Sequence, residues 1–143
     1  VNEVGMLSYN PNVSRVIGCQ FSEDKKLAVL SEAVGESMLW HLQSTNHIYD
    51  SADPTTISLF RQLTSAVNHI HQSNYVHKDV RLETVYLHPA DPQRCLLGDI
   101  HLHHELDQLL GTPDALPVSA PQWLPSELRE RGGVVSRKTD IWF

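Results

Sequence analysis

The chain has 143 residues, 41% hydrophobic and 20% charged, with a formal net charge of −6 and eleven Lys and Arg scattered without a run or stripe. This reads as a soluble globular chain of about one domain with room for a sizeable core, and it speaks against nucleic acid or an anionic membrane surface as partner. No stretch of about 18 apolar residues is present to span a bilayer, and "VNEVGMLSYNPN" lacks the basic start and apolar block of a signal peptide.

In chain order, "VNEVGMLSY" reads as the end of a helix. Asn10-Pro11-Asn12 is a turn before the apolar positions Val13, Val16 and Ile17, which predict a strand. "SEDKK" is a charged turn and "LAVLSEAV" a second strand, so the two form a hairpin. "GESMLWHLQ" predicts a short helix after Gly35. The clearest helix follows: Asp53 caps it, Pro54 suits its first position, and Ile57, Phe60, Leu63, Val67 and Ile70 form a stripe expected to be largely buried.

"TVYLH" and "CLLGDI" read as two short strands joined at "PADPQR", where two prolines speak against regular pairing. Residues 99–122 hold Pro113, Pro117 and Pro121 and no clean period, a long irregular segment. "SRKTDIWF" starts another helix. There are no repeats and no low-complexity tract. Cys19 and Cys95 lie far apart without CxxC spacing; free thiols in a reducing setting are the default, and a single disulfide is the alternative.

Between the long helix and "TVYLH" sits "HQSNYVHKDVRLET", with charges among apolar positions where a plain core strand would have none. "HKDVRLETVYL" resembles the protein-kinase catalytic loop H-R-D-L-x-x-x-N and its following strand. "GDIH" stands in the place of D-F-G, "WLPSEL" resembles the tail of the activation segment, and "TDIWF" resembles the start of the next helix. Upstream, "LAVLSEAVGESMLWHL" is similar to the last N-lobe strand, hinge and first C-lobe helix. Five motifs in fitting order cover nearly the whole chain. "RVIGCQ" and "PQWLPSEL" are nearer to tyrosine kinases and tyrosine-kinase-like proteins than to other branches.

The resemblance implies an α+β class: a partial protein-kinase-like fold with the end of the N-lobe and the front of the mainly helical C-lobe. Residues 1–31 would be the end of the C-helix and the last two N-lobe strands. Residues 32–143 would hold the hinge, catalytic loop, activation segment and start of the following helix. The chain begins near the end of the family's C-helix, without glycine-rich loop or V-A-I-K lysine, and stops shortly after Asp140-Ile141, so the expectation is a fragment of a longer protein.

The resemblance also assigns roles. Phosphoryl transfer needs a carboxylate facing the attacking hydroxyl and metal ions neutralising the triphosphate. Asp79 matches the first carboxylate and Asp99 the one that holds Mg²⁺. Arg81 stands where many kinases carry a basic residue that helps the γ-phosphate, with an ion-pairing arginine as the alternative. Ser31, Glu32 and Val34 of the hinge and Tyr86 on the cleft floor would border ATP, and Thr84 stands where the family's asparagine grips a second Mg²⁺. His77 would be a packed core histidine, Asp140 an acceptor for catalytic-loop N–H groups, and Glu127 structural. Glu3 matches the glutamate that pairs with the absent lysine.

Several positions depart from the family. A threonine hydroxyl at 84 is a poorer metal ligand than an amide carbonyl. His101 replaces the D-F-G glycine and its backbone freedom, and Ile100 replaces the phenylalanine. The ring of Tyr86 would crowd the nucleotide, and Lys78 loses the two-pronged grip of the usual arginine. No tyrosine occurs from 99 to 127, leaving Thr112 and Ser119 as hydroxyls in its middle. His101, His103 and His104 lack the second half of a zinc pattern and read as solvated side chains.

Three readings stay open. One is a pseudokinase acting as scaffold or allosteric partner of other proteins in signalling, binding ATP and Mg²⁺ weakly or not at all. The second is an active protein kinase, tyrosine or serine/threonine, with a relaxed metal site. The third is a piece cut from a longer gene, without independent function. A cytoplasmic location, alone or as the intracellular part of a receptor, goes with the first two.

Overall fold

The computed structural model describes residues 9–21, 27–46, 48, 50–99 and 136–142. They form β1 (Val16–Phe21), β2 (Leu27–Ser31), α1 (Met38–Thr45), α2 (Pro54–Gln72), β3 (Val85–His88), β4 (Asp91–Leu97) and α3 (Thr139–Trp142). The mixed helix and sheet content agrees with the α+β expectation.

β1 and β2 pair antiparallel, with Cys19 opposite Val29 and an irregularity between Val16 and Gly18. The hairpin is tied down at its open end, where the Glu32 N–H donates to the Arg15 carbonyl and the Arg15 N–H to the Glu32 carboxylate. Preceding β1, the Ser14 N–H donates to the Leu97 carbonyl and the Leu97 N–H to the Asn12 carbonyl, so the chain enters the hairpin alongside β4. Buried Asn12 spans this junction, its amide donating to the Gln62 side chain and the Cys95 carbonyl.

Both longer helices are capped, α2 by the predicted Asp53. Ser37 accepts the Trp40 N–H, and α1 stops where Asn46 turns left-handed at φ 51°. The Asp53 carboxylate accepts the Thr56 N–H at 2.8 Å, with Pro54 in the first turn.

The buried face of α2 differs from the predicted stripe. Leu59, Ala66, Val67 and Ile70 are buried, whereas Ile57 is 39% and Phe60 71% exposed. Helical spacing fixes which residues share a face but not how wide the covered strip is; the strip against β4 begins at Leu59. With Val13, Val80, Val85, Leu87, Cys95 and Leu97 these residues make one core, flanked by Met38, Leu63 and Tyr75.

The turn at "PADPQR" is also tighter than its prolines suggest. β4 starts at Asp91 and runs through Pro92, with His88 opposite Asp91 and the register shifting between Leu87 and His88. Asp91, Pro92 and Gln93 are exposed, so Pro92 sits at the solvent end of the pair, where a missing N–H is tolerated. Cys95 is a free, buried thiol, in line with the free-thiol expectation at that position.

The segment linking β2 to α1 crosses β3 edge on. The Gly35 N–H donates to the Leu87 carbonyl and the Leu87 N–H to the Glu36 carbonyl, both at 2.9 Å. A Cβ on Gly35 would stand 2.5 Å from the Leu87 carbonyl oxygen, so no other residue fits without moving backbone. Gly35→Ala is therefore expected to lower stability by about 1–3 kcal/mol, against about 1 kcal/mol for removing the α2 cap with Asp53→Ala. Urea denaturation of the two variants compares them, and an equal or smaller cost for Gly35→Ala would show that the crossing yields.

Candidate functional site

After α2 the chain turns at Asn74, φ 63°, and enters the loop 77–84 between α2 and β3. The loop is fixed from below by Asp140, on the first turn of α3. Its carboxylate accepts the His77 N–H at 2.8 Å and the Lys78 N–H at 2.7 Å, and the ring of His71, near the end of α2, meets it at 2.7 Å. Asp140 is buried, so these donors take the place of water. They also hold Lys78 at φ 72°, a left-handed conformation costing a non-glycine residue about 1–2 kcal/mol. The expected role of Asp140 as acceptor for this loop is what the geometry contains.

His77 is fully buried. Its Nδ1 accepts the Asp79 N–H at 3.2 Å, which leaves the proton on Nε2 to donate to the Gly98 carbonyl at 2.7 Å. It is the packed, hydrogen-bonded histidine the sequence suggests, and it couples the loop to the end of β4.

Asp79 and Thr84 close the loop on itself. The Thr84 hydroxyl donates to the Asp79 carbonyl at 2.6 Å, lies 3.1 Å from the Arg81 carbonyl and accepts the Arg81 N–H at 3.2 Å. The residue is buried, and its oxygen faces loop backbone. The Asp79 carboxylate pairs with the Arg81 guanidinium, Nε to Oδ1 at 2.8 Å, and Arg81 also lies 3.9 Å from Glu83. Arg81 thus forms the ion pair offered as one of its two uses.

Tyr86 on β3 brings the loop and the end of β4 together. Its hydroxyl donates to Asp99 Oδ2 at 2.9 Å, and Asp99 is itself left-handed at φ 64°. The ring stands over Gly98, where a Cβ would come within 2.7 Å of a ring carbon. Burial, then the hydrogen bond and negative charge of Asp99, push the Tyr86 hydroxyl up to about 12; the Arg81 charge opposes this and that of Asp79 adds to it. One hydroxyl thus senses both acids and the arginine between them.

The hinge segment joins β3 through Gly35, and Ser37 is bridged to Tyr86. Ser31 ends β2 opposite Val16, the Glu32 carboxylate is turned to the Arg15 backbone, and Val34 is half-buried. Glu3, Ile100, His101, His103, His104, Thr112, Ser119 and Glu127 fall outside the described residues. Among the described residues no three His, Cys, Asp or Glu side chains are placed to hold a metal ion, and no helix is long and apolar enough to cross a membrane. Asp99, Asp79 and Thr84, the oxygen donors offered for Mg²⁺ and the reacting hydroxyl, each hold a protein partner: Tyr86, Arg81 and the loop backbone. As arranged, they do not fit a two-metal site.

No signal in the sequence marks the bond of Tyr86 to Asp99 or His71 as a partner of Asp140. Neither contact has a local pattern: His71 and Asp140 are 69 positions apart.

Comparison with known proteins adds an independent line. The profile of the family described as "Protein tyrosine and serine/threonine kinase" matches residues 2–143. Sperm motility kinase 1 of Mus musculus is 27% identical over 145 residues, covering 98% of this chain and 28% of that protein. CBL-interacting protein kinase 22 of Oryza sativa subsp. japonica is 28% identical over 138 residues, covering 93% and 30%. The human CaM kinase-like vesicle-associated protein is 26% identical over 147 residues, covering 99% and 27%. The chain thus spans less than a third of the length of these relatives.

Two outcomes follow from the geometry. Asp140→Ala leaves buried donors without an acceptor, at about 1–3 kcal/mol each, so it should cost at least about 2 kcal/mol in urea denaturation and speed hydrogen exchange at the His77 and Lys78 amides. In alkali, Tyr86 and Cys95 both destabilise the fold. Burial pushes the Cys95 thiol up to about 11. Groups whose proton is held more tightly in the folded state support it fully below their ordinary values and lose that support as pH rises through the folded ones. Stability should therefore fall from about pH 9 to about pH 12. One of the four tyrosines should develop its phenolate absorbance late, and Tyr86→Phe should remove that late step.

Proposed function

The chain belongs to the protein tyrosine and serine/threonine kinase family, which uses ATP and Mg²⁺ to phosphorylate protein hydroxyls, and from that premise we propose that it is a catalytically impaired member acting on other proteins as scaffold or allosteric partner. The observation that carries this reading is Thr84. It stands where the family places a metal-gripping asparagine, and its hydroxyl is spent inside the loop on the Asp79 carbonyl and Arg81 N–H. A side chain facing loop backbone offers a second metal nothing. The pairing of Asp79 with Arg81 supports the same reading, since a carboxylate engaged by a guanidinium is already turned to a partner within the loop.

In this reading Asp79 stands at the family's base position, Asp99 at its metal position and Ser31, Glu32, Val34 and Tyr86 along its nucleotide border, without serving those ligands, while Arg81 is an ion-pair partner and Thr84 a brace of the loop. Residues 1–31 are read as the end of an N-lobe and 32–143 as hinge and front of a C-lobe. "RVIGCQ" and "PQWLPSEL" favour the tyrosine-kinase and tyrosine-kinase-like side of the family. The free thiol of Cys95 favours a cytoplasmic setting, alone or as the inner part of a receptor. The second reading, an active kinase with a relaxed metal site, is favoured by one fact: both Asp79 and Asp99 are retained.

A thermal-shift titration of the intact protein with ATP and Mg²⁺ separates the two. A ligand that binds only the folded state at a hundredfold excess over its Kd adds about 2.7 kcal/mol of stability. No metal-dependent rise in Tm is expected here, nor any phosphotransfer above that of Asp79→Asn. A Mg²⁺-dependent rise, with transfer abolished by Asp79→Asn, would establish the active kinase instead.

A further inference from the structure

We propose that Tyr86 is an internal plug: its ring fills the cleft floor against Gly98 while its hydroxyl engages the Asp99 carboxylate, so that one side chain excludes nucleotide and divalent cation together. The inference rests on the kinase-family assignment of this cleft.

Three features build the plug, and each is needed. The pairing of β3 with β4 sets Tyr86 opposite Leu96, and the Gly98 N–H donates to the Thr84 carbonyl at 2.9 Å, which returns the chain over β3. Gly98 has no Cβ, and the ring stands in the space one would need. Beyond it, the left-handed backbone of Asp99 brings its carboxylate to within 2.9 Å of the Tyr86 oxygen. A left-handed backbone is a less common conformation that aspartate tolerates, and with it goes the bond to Tyr86.

The chemistry matches an occupied site. A carboxylate that accepts a phenolic O–H has already given part of its negative charge to a partner, and the Arg81 charge acts on the same hydroxyl. The proton is firmly held, with Tyr86 ionising only at about 12, so at neutral pH it is always a donor. A cation that takes up Oδ2 of Asp99 must compete with that donor, and a nucleotide on the cleft floor must displace the ring. The two ligands are thereby linked, since whichever opens the plug removes the obstacle to the other.

The test compares the intact wild-type protein with Tyr86→Phe, which keeps the ring and deletes the hydroxyl, and Tyr86→Leu, which removes both. Mn²⁺ affinity is read by electron paramagnetic resonance without nucleotide, and ATP binding by thermal shift with Mg²⁺. Tyr86→Phe should bind Mn²⁺ about tenfold more tightly than wild type, the scale of a lost hydrogen bond to a charged group, and still ignore ATP. Tyr86→Leu should gain both. Adding Asp99→Asn should cancel the Mn²⁺ gain in either background.

Equal Mn²⁺ affinity in wild type and Tyr86→Phe would overturn the plug. So would a gain that survives Asp99→Asn, or absence of Mn²⁺ binding in every variant. Should Tyr86→Leu fail to fold, the nearly isosteric Tyr86→Phe decides the cation half alone, and Tyr86→Ile, which also lacks the ring, is read for ATP, where no gain would overturn the nucleotide half. Phosphotransfer by the wild type would defeat the impaired-kinase reading without touching the Mn²⁺ comparison, so the two ideas fail separately.

Discussion

A buried carboxylate gripping main-chain N–H groups anchors everything above it. Asp140 takes the amides of His77 and Lys78 and the ring of His71, and so joins α3, the end of α2 and the loop 77–84 at one point. Because no water reaches the carboxylate, its acceptor capacity has to be met by protein. That requirement holds Lys78 in a left-handed turn and orients the following residues. Asp79, Thr84 and Tyr86 inherit their positions from it.

Above this anchor the polar side chains of the cleft meet partners within the protein, Asp79 and Arg81 as an ion pair rather than a hydrogen bond. The Thr84 hydroxyl goes to loop backbone, Asp79 to Arg81, and Asp99 to Tyr86. Buried or half-buried polar atoms left without partners are costly, so a catalytic cleft that waits for metal and phosphate holds some of that cost in reserve. Here part of that cost is met internally, by the bonds of Thr84 and Asp99.

Much of the architecture could be read from local chemistry. Asp53-Pro54 marked the start of α2 and "TDIW" the start of α3. The motif order pointed to the family, and the buried roles of His77 and Asp140 came with that resemblance. Where reading failed, the deciding force was not local. Ile57 and Phe60 share the helical stripe yet lie beyond the strip that β4 covers, and Pro92 fits in a strand because it is exposed at the turn end of the pair, where the register shifts.

The sequence by itself determined the order of elements, the caps, the family and the identity of the altered positions, because spacing, capping residues and motifs are properties of neighbours along the chain. Only the tertiary structure decided which way those altered side chains face. A threonine at 84 is compatible with an open ligand or an inward brace, and a tyrosine at 86 with a crowded or a sealed cleft. The choice came from the register of β3 against β4 and from the left-handed turn at Asp99, which bring together groups that no local pattern connects.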